Sequence, residues 1–106
     1  MPNRAAVNMT SRRILILGAD GQLGSDLTRV FDKEAIGLTH QEIDITDPKE
    51  TARVISEFRP DVVINSAAVV QSEGCENQPE LCFGVNSSGA YHVARAASQI
   101  GAVALL

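Results

Sequence analysis

Gly18-Ala19-Asp20-Gly21-Gln22-Leu23-Gly24 places three glycines at intervals of three. The apolar run Ile14-Leu15-Ile16-Leu17 precedes them and an amphipathic stretch follows. Spaced glycines between a strand and a helix are a phosphate-binding arrangement. Gly18 permits a sharp exit from the strand. Gly21 has no side chain, so a diphosphate can approach the main chain there, and Gly24 lets the helix pack close to the strand. The helix N-terminus adds free amides and a partial positive charge. A tight turn without a ligand would use the same glycines, and the three-then-three spacing differs from the two-then-three dinucleotide fingerprint.

A dinucleotide also needs an adenosine site. An acid at the end of the second strand often holds the ribose hydroxyls of NAD. Here that end reads Leu38-Thr39-His40-Gln41, with neither an acid nor a base for a 2′-phosphate, so NADH and NADPH both stay open. Asp44 is the nearest group to touch adenine, with Ile45 as an apolar wall; Asp44 would equally serve as a turn residue bonding its own backbone. Asn65-Ser66-Ala67-Ala68 ends a central strand, where open α/β sheets bind ligands, and its small side chains leave room for ribose and diphosphate. Close packing of strand on helix would select the same small residues. Cys75 and Cys82 have no companions at metal-ligand spacing, and His40 and His92 are isolated. Tyr91 is followed four residues on by Arg95, so it is not a Tyr-x-x-x-Lys pair. No metal site and no catalytic residue is expected in this chain.

These residues need a scaffold. Ile14–Leu17 and Asp61–Asn65 read as strands buried on both faces. Leu23, Leu27, Val30 and Phe31 form one stripe of a helix. Ala35–Leu38 is a weak second strand and Glu42-Ile43-Asp44 a very short third. Asp47-Pro48-Lys49-Glu50 starts a helix, with Asp47 as cap, Pro48 in the first turn and Glu50 reaching back. Thr51, Val54, Ile55 and Phe58 are its buried stripe, and Arg59-Pro60 ends it. A long helix runs from about Pro79 to Ile100, with Ala90, Val93, Ala94 and Ala97 on one face and Gly101 as its stop. Residues 102–106 begin another strand. The alternation specifies an α/β, Rossmann-like, doubly wound parallel sheet, truncated after about four or five strands.

The 106 residues allow one small domain. With 44% hydrophobic and 21% charged residues the chain is an ordinary globular sequence, and its single Tyr, three Phe and absent Trp make the core aliphatic. Three of its nine basic residues (Arg4, Arg12, Arg13) fall in the first thirteen positions, leaving an acidic body that is a poor partner for nucleic acid. No apolar run reaches the roughly 18 residues that span a membrane. Residues 1–12 are expected to be a disordered leader, Met9 being an alternative start, and residues 13–106 the N-terminal part of a dinucleotide-binding domain. The two cysteines are expected as reduced thiols in a cytoplasmic protein.

Gly18–Gly24 resembles the Gly-x-x-Gly-x-x-Gly turn of the extended short-chain dehydrogenases/reductases, and Asp44-Ile45-Thr46-Asp47-Pro48 resembles that family's adenine-contacting segment. Residues 59–68, Cys75–Glu80 and Val85-Asn86 are similar, more narrowly, to the dTDP-4-dehydrorhamnose reductase branch. The likeness covers about residues 12 to 106 and corresponds to the first third or so of a family member. It implies hydride transfer from NADPH or NADH to the C4 ketone of a nucleotide-linked deoxysugar in dTDP-rhamnose biosynthesis, with this chain supplying only the cofactor-binding part. It implies backbone contacts to cofactor from Gly21, Gln22 and Leu23, with Gly18 and Gly24 shaping the turn. It also implies adenine contacts from Asp44 and Ile45, and contacts to ribose or nicotinamide from Ala67, Ala68 and Val69. Asn86 matches a position that props the sheet and cofactor site.

Family members usually carry an aromatic or His and then Thr where this chain has Val69 and Val70, and an Asp where it has Glu73. Their catalytic Ser or Thr and Tyr-x-x-x-Lys pair match no residues of this chain, so no turnover is expected from it alone. A nucleotide-sugar epimerase or dehydratase of the same superfamily, or a non-catalytic NADP-binding regulatory subunit, are the alternatives. A homodimer is open to the full-length form.

Overall fold

Four consecutive branched or long aliphatic residues with no polar interruption make Ile14–Leu17 the central strand, β1, and all four are buried. The computed structural model describes residues 12–67 and 79–106; from 79 to 87 it describes the backbone only. Nearly all of the expected leader (residues 1–11) lies outside the described residues. Helix α1 spans Gln22–Phe31, followed by a 3-10 turn at Asp32–Glu34 and strand β2 at Ala35–Leu38. Helix α2 spans Pro48–Phe58, strand β3 Val62–Asn65, helix α3 Pro79–Gln99 and strand β4 Val103–Leu105.

The strands are all parallel, in the order β2-β1-β3-β4. Ile14 registers with Ala35 on one side and Val62 on the other, and Leu17 with Leu38 and Asn65. Successive side chains of a strand point to opposite faces. Leu15, Leu17, Leu38 and Val63 meet Val54 and Ile55 of α2 and Val93, Ala96 and Ala97 of α3 in the principal core. Fully burying one such side chain contributes about 1.5–3 kcal/mol. Helix α1 covers the opposite face. A β-carbon at Gly37 of β2 would stand 2.7 Å from Ala19 Cβ and 3.1 Å from Thr28 Oγ1. The architecture is the expected Rossmann-like α/β sheet with helices on both faces.

Local chemistry sets the helix ends. Asp47 Oδ1 accepts from the amides of Lys49 (2.9 Å) and Glu50 (3.2 Å), and Pro48 needs no donor partner in the first turn. Arg59 ends α2 in the left-handed region, at φ 49° and ψ 55°, because Pro60 disfavours the right-handed one. At the end of α3, Gly101 has φ +74°, its amide donates to Ser98 O, and that of Ala102 donates to Ala97 O. These are the two bonds of a Schellman stop.

Four expectations change. Glu42–Asp44 is not a strand, because its amides have local partners: Glu42 and Ile43 donate to Thr39 O and Asp44 to Glu50 Oε2. Glu50 therefore reaches past the cap to Asp44. The stripe expected on α1 is not its packing face either. Leu23 is 50% and Val30 72% exposed, while Leu27 and Phe31 are half-buried, because the helix approaches the sheet through Gly24 and Thr28. On α3 the buried face is Gly89, Val93, Ala96 and Ala97, so Ala90 and Ala94 flank it.

Candidate functional site

The carboxyl ends of β1, β2 and β3 are tied together around the glycine turn. Gly18 and Ala19 both donate their amides to Leu38 O, at 2.9 and 3.0 Å. Ser66, 4% exposed, donates its amide (3.1 Å) and its hydroxyl (2.5 Å) to Leu17 O. Gly18 has φ +78°, and a β-carbon on it would stand 2.8 Å from Ala67 N. Only glycine meets both conditions without strain. A β-carbon on Gly24 would stand 2.0 Å from Gly18 O and 2.9 Å from Ser66 Oγ. Two of the three glycines are thus required by close approach of backbone to backbone.

Gly21 differs. It lies at φ −79° and ψ 169°, extended backbone open to any residue. Its amide donates to Gly18 O and its carbonyl accepts from Ser25 N. Among the described residues no side chain caps α1, and its first turn holds no acid. The first amides of a helix have no partner within it. In α2 Asp47 supplies one; in α1 none of the described residues does, and Gly21 adds no side chain in front of these amides. The amides of Gln22, Leu23 and Gly24, with the helix dipole behind them, suit the diphosphate of a dinucleotide. The residues present fit that group.

Ala67 is held at the same corner, its amide donating to Asn65 Oδ1 at 3.1 Å. Asn65 is buried, and its Nδ2 has no hydrogen-bond partner among the described residues. Ala68, Val69, Val70, Glu73 and Cys75 lie outside the described residues. So do the side chains of Cys82 and Asn86, whose backbone belongs to α3.

The adenine-side segment is locked from several directions. Asp44 is exposed. Its Oδ1 accepts from the Thr46 hydroxyl (2.5 Å) and amide (3.0 Å), which hold its carboxyl below the usual carboxylate range. Among the described residues its Oδ2 has no hydrogen bond. The carbonyl of Ile45 accepts from His92 Nδ1 of α3 at 2.7 Å, and the Ile45 side chain lies where a β-carbon on Gly89 would go. Asp44 therefore builds the turn and still has one oxygen to offer.

An acid missed by reading along β2 stands at its end after all. The Glu42 Oε1 accepts from the amide (2.9 Å) and hydroxyl (3.1 Å) of Thr39, the residue after β2. The Thr-x-x-Glu spacing, a capping-box pattern, was the signal for it. His40 Nδ1 lies 3.6 Å from Asp20 Oδ2, joining the same loop to the glycine turn.

A cleft of about 440 Å³ opens between α2 and α3, lined by Lys49, Ala52, Tyr91, His92 and Arg95 among others. It shares no residue with the glycine turn. Among the described residues no cluster could hold a metal ion, and no helix is long and apolar enough to cross a membrane.

The sequence family described as the RmlD substrate binding domain matches residues 12–105. The chain belongs to that family. Over 95 residues it is 42% identical to the dTDP-4-dehydrorhamnose reductase of Mycobacterium tuberculosis, a match spanning 87% of this chain and 31% of that protein. The crystal structure of the dTDP-4-dehydrorhamnose reductase ortholog of Clostridium acetobutylicum superposes with a TM-score of 0.77 at 36% identity, over 87% of this chain and 34% of that one. The dTDP-4-dehydrorhamnose reductase of Bacillus anthracis, solved in complex with NADP, gives a TM-score of 0.79 at 31% identity, over 89% and 35%. The chain thus spans about a third of the length of these RmlD-family relatives.

Proposed function

We propose that this chain forms the nicotinamide-dinucleotide-binding part of a reductase of nucleotide-linked deoxysugars, the reaction being reduction of the C4 ketone of dTDP-4-dehydrorhamnose. The observation that carries this reading is the amino terminus of α1, uncapped by any of the described residues, packed by Gly24 against Gly18 and without a side chain at Gly21. The amides of Gln22, Leu23 and Gly24 hold the diphosphate. Asp44 Oδ2 and Ile45 face the adenine, and the small side chain of Ala67 leaves room for the ribose; Ala68 and Val69, outside the described residues, are the further contacts that the resemblance implies. A bound reduced nicotinamide would supply the hydride. Ser66 positions rather than reacts, because its hydroxyl is committed to Leu17 O. Tyr91 is 60% exposed beside the α2–α3 cleft, away from the turn, and takes no part in proton transfer.

The NADP in the Bacillus anthracis relative supports a nicotinamide cofactor. The reading also places the protein in the cytoplasm, where dTDP-sugars and reduced nicotinamides are at hand. Titration of NADH and NADPH into the protein, followed by nicotinamide fluorescence, tests it. Saturable binding with a Kd below about 1 mM is expected for at least one of them. A folded protein that binds neither contradicts it.

A further inference from the structure

The carboxyl end of β2 is where a Rossmann-like sheet meets the adenosine ribose, and an acid there accepts from the 2′-hydroxyl whereas a base accommodates a 2′-phosphate. In this chain that corner is acidic. Glu42 follows the last glycine of the turn by eighteen positions. Its backbone folds back so that Oε1 sits on the amide and hydroxyl of Thr39. Among the described residues Oε2 has no hydrogen bond. The corner adjoins the cradle directly, since Leu38 O accepts from both Gly18 and Ala19. Asp20, on the glycine-turn side, adds a second carboxylate, 3.6 Å from His40. Neither of the two segments that meet here, residues 14–28 and 34–48, contains a lysine or arginine.

We propose that Glu42 is a specificity-determining residue: its carboxylate accepts a hydrogen bond from the 2′-hydroxyl of the adenosine ribose and repels a 2′-phosphate, so that the site favours NADH over NADPH. This rests on the cofactor reading above. It assigns this chain a preference different from the NADP seen in the Bacillus anthracis relative. A 2′-phosphate brings close to two negative charges toward Glu42 and Asp20, while a hydroxyl brings a donor. Within residues 14–28 and 34–48, His40 is the one group of opposite sign, and only when protonated. Asp44, two residues on, is a further carboxylate of the same loop, and its Oδ1 is committed to Thr46.

The test is the ratio of the NADH and NADPH dissociation constants, measured at low and at high salt for the unsubstituted protein and for Glu42→Gln. Glutamine keeps an Oε1 acceptor for Thr39, so the loop is retained while the charge is lost. The unsubstituted protein is expected to bind NADH about five- to tenfold more tightly at low salt, with the ratio shrinking as salt screens the exposed carboxylates. Glu42→Gln is expected to bring the ratio close to one, chiefly by tightening NADPH. Equal or tighter binding of NADPH by the unsubstituted protein, or a ratio unmoved by Glu42→Gln, would overturn the proposal and leave the cofactor reading standing. Binding of neither dinucleotide would overturn the cofactor reading and this assignment with it.

Discussion

The Ser66 hydroxyl donates to the Leu17 carbonyl at 2.5 Å, and its Oγ lies 3.0 Å from where a β-carbon on Gly18 would stand and 2.9 Å from where one on Gly24 would. The last residues of β1 and the residue after β3 thereby set how closely α1 can approach the sheet. Ser66→Ala removes the hydroxyl bond but leaves the Ser66 amide on the same carbonyl. It should lower stability by about 1–2 kcal/mol. A thermal melt should show this as a fall of several degrees, since about 1 kcal/mol shifts a domain of this size by about 4–8 °C.

Gly24→Ala should cost far more than an ordinary glycine-to-alanine change in a helix, where alanine is normally favoured. Its β-carbon would stand 2.0 Å from Gly18 O, a backbone atom that cannot swing aside. We expect a loss of about 3 kcal/mol or more, the upper range for overpacking, read as a lower urea midpoint or as failure to fold.

Gly21→Val should behave in the opposite way. The extended backbone at Gly21 accepts any side chain, so the melting temperature should stay within a few degrees of the unsubstituted protein. Affinity for NADH and NADPH should fall at least about tenfold, which is about 1.4 kcal/mol, because the valine occupies the approach to the helix amides. Fluorescence titration and circular dichroism on the same sample separate the two effects.

Asp44 gives the pH prediction. The Thr46 hydroxyl, and next its amide, favour the charged carboxylate in the folded chain and lower its pKa. A carboxyl depressed on folding contributes stability that is present above its unfolded pKa and lost as pH falls through the lower folded value. A carbon-detected NMR titration should place the Asp44 midpoint below the usual carboxylate range. Thr46→Val should move it up, the valine having removed the larger cause while leaving the amide.

Much of this was legible along the chain. The run Ile14–Leu17, the Asp47-Pro48 helix start, the Arg59-Pro60 stop and Gly101 each carry a local steric or hydrogen-bonding reason for what they form, and each does form it. What escaped is decided by neighbours distant in sequence. The amphipathic pattern of α1 pointed to Leu23 and Val30 as the buried face, but the close approach of Gly24 to Gly18 O turns the helix onto its small residues. The Glu42–Asp44 segment looked extended by composition, yet Thr39 and Glu50 take its amides. At the candidate site, the sharp exit at Gly18 and the close helix packing at Gly24 were legible from residue type and position. The bond from His92 to Ile45 spans 47 residues and left no trace in local pattern.

The amides of Gln22, Leu23 and Gly24 at the start of α1 are the proposed seat of the diphosphate. Amide chemical shifts recorded during a titration with NADH test this most directly. Saturating shifts of Gln22, Leu23 and Gly24 are expected, with Gly101 and Val103 at the far edge of the sheet unmoved. Saturable NADH binding that leaves those three amides unshifted would contradict it.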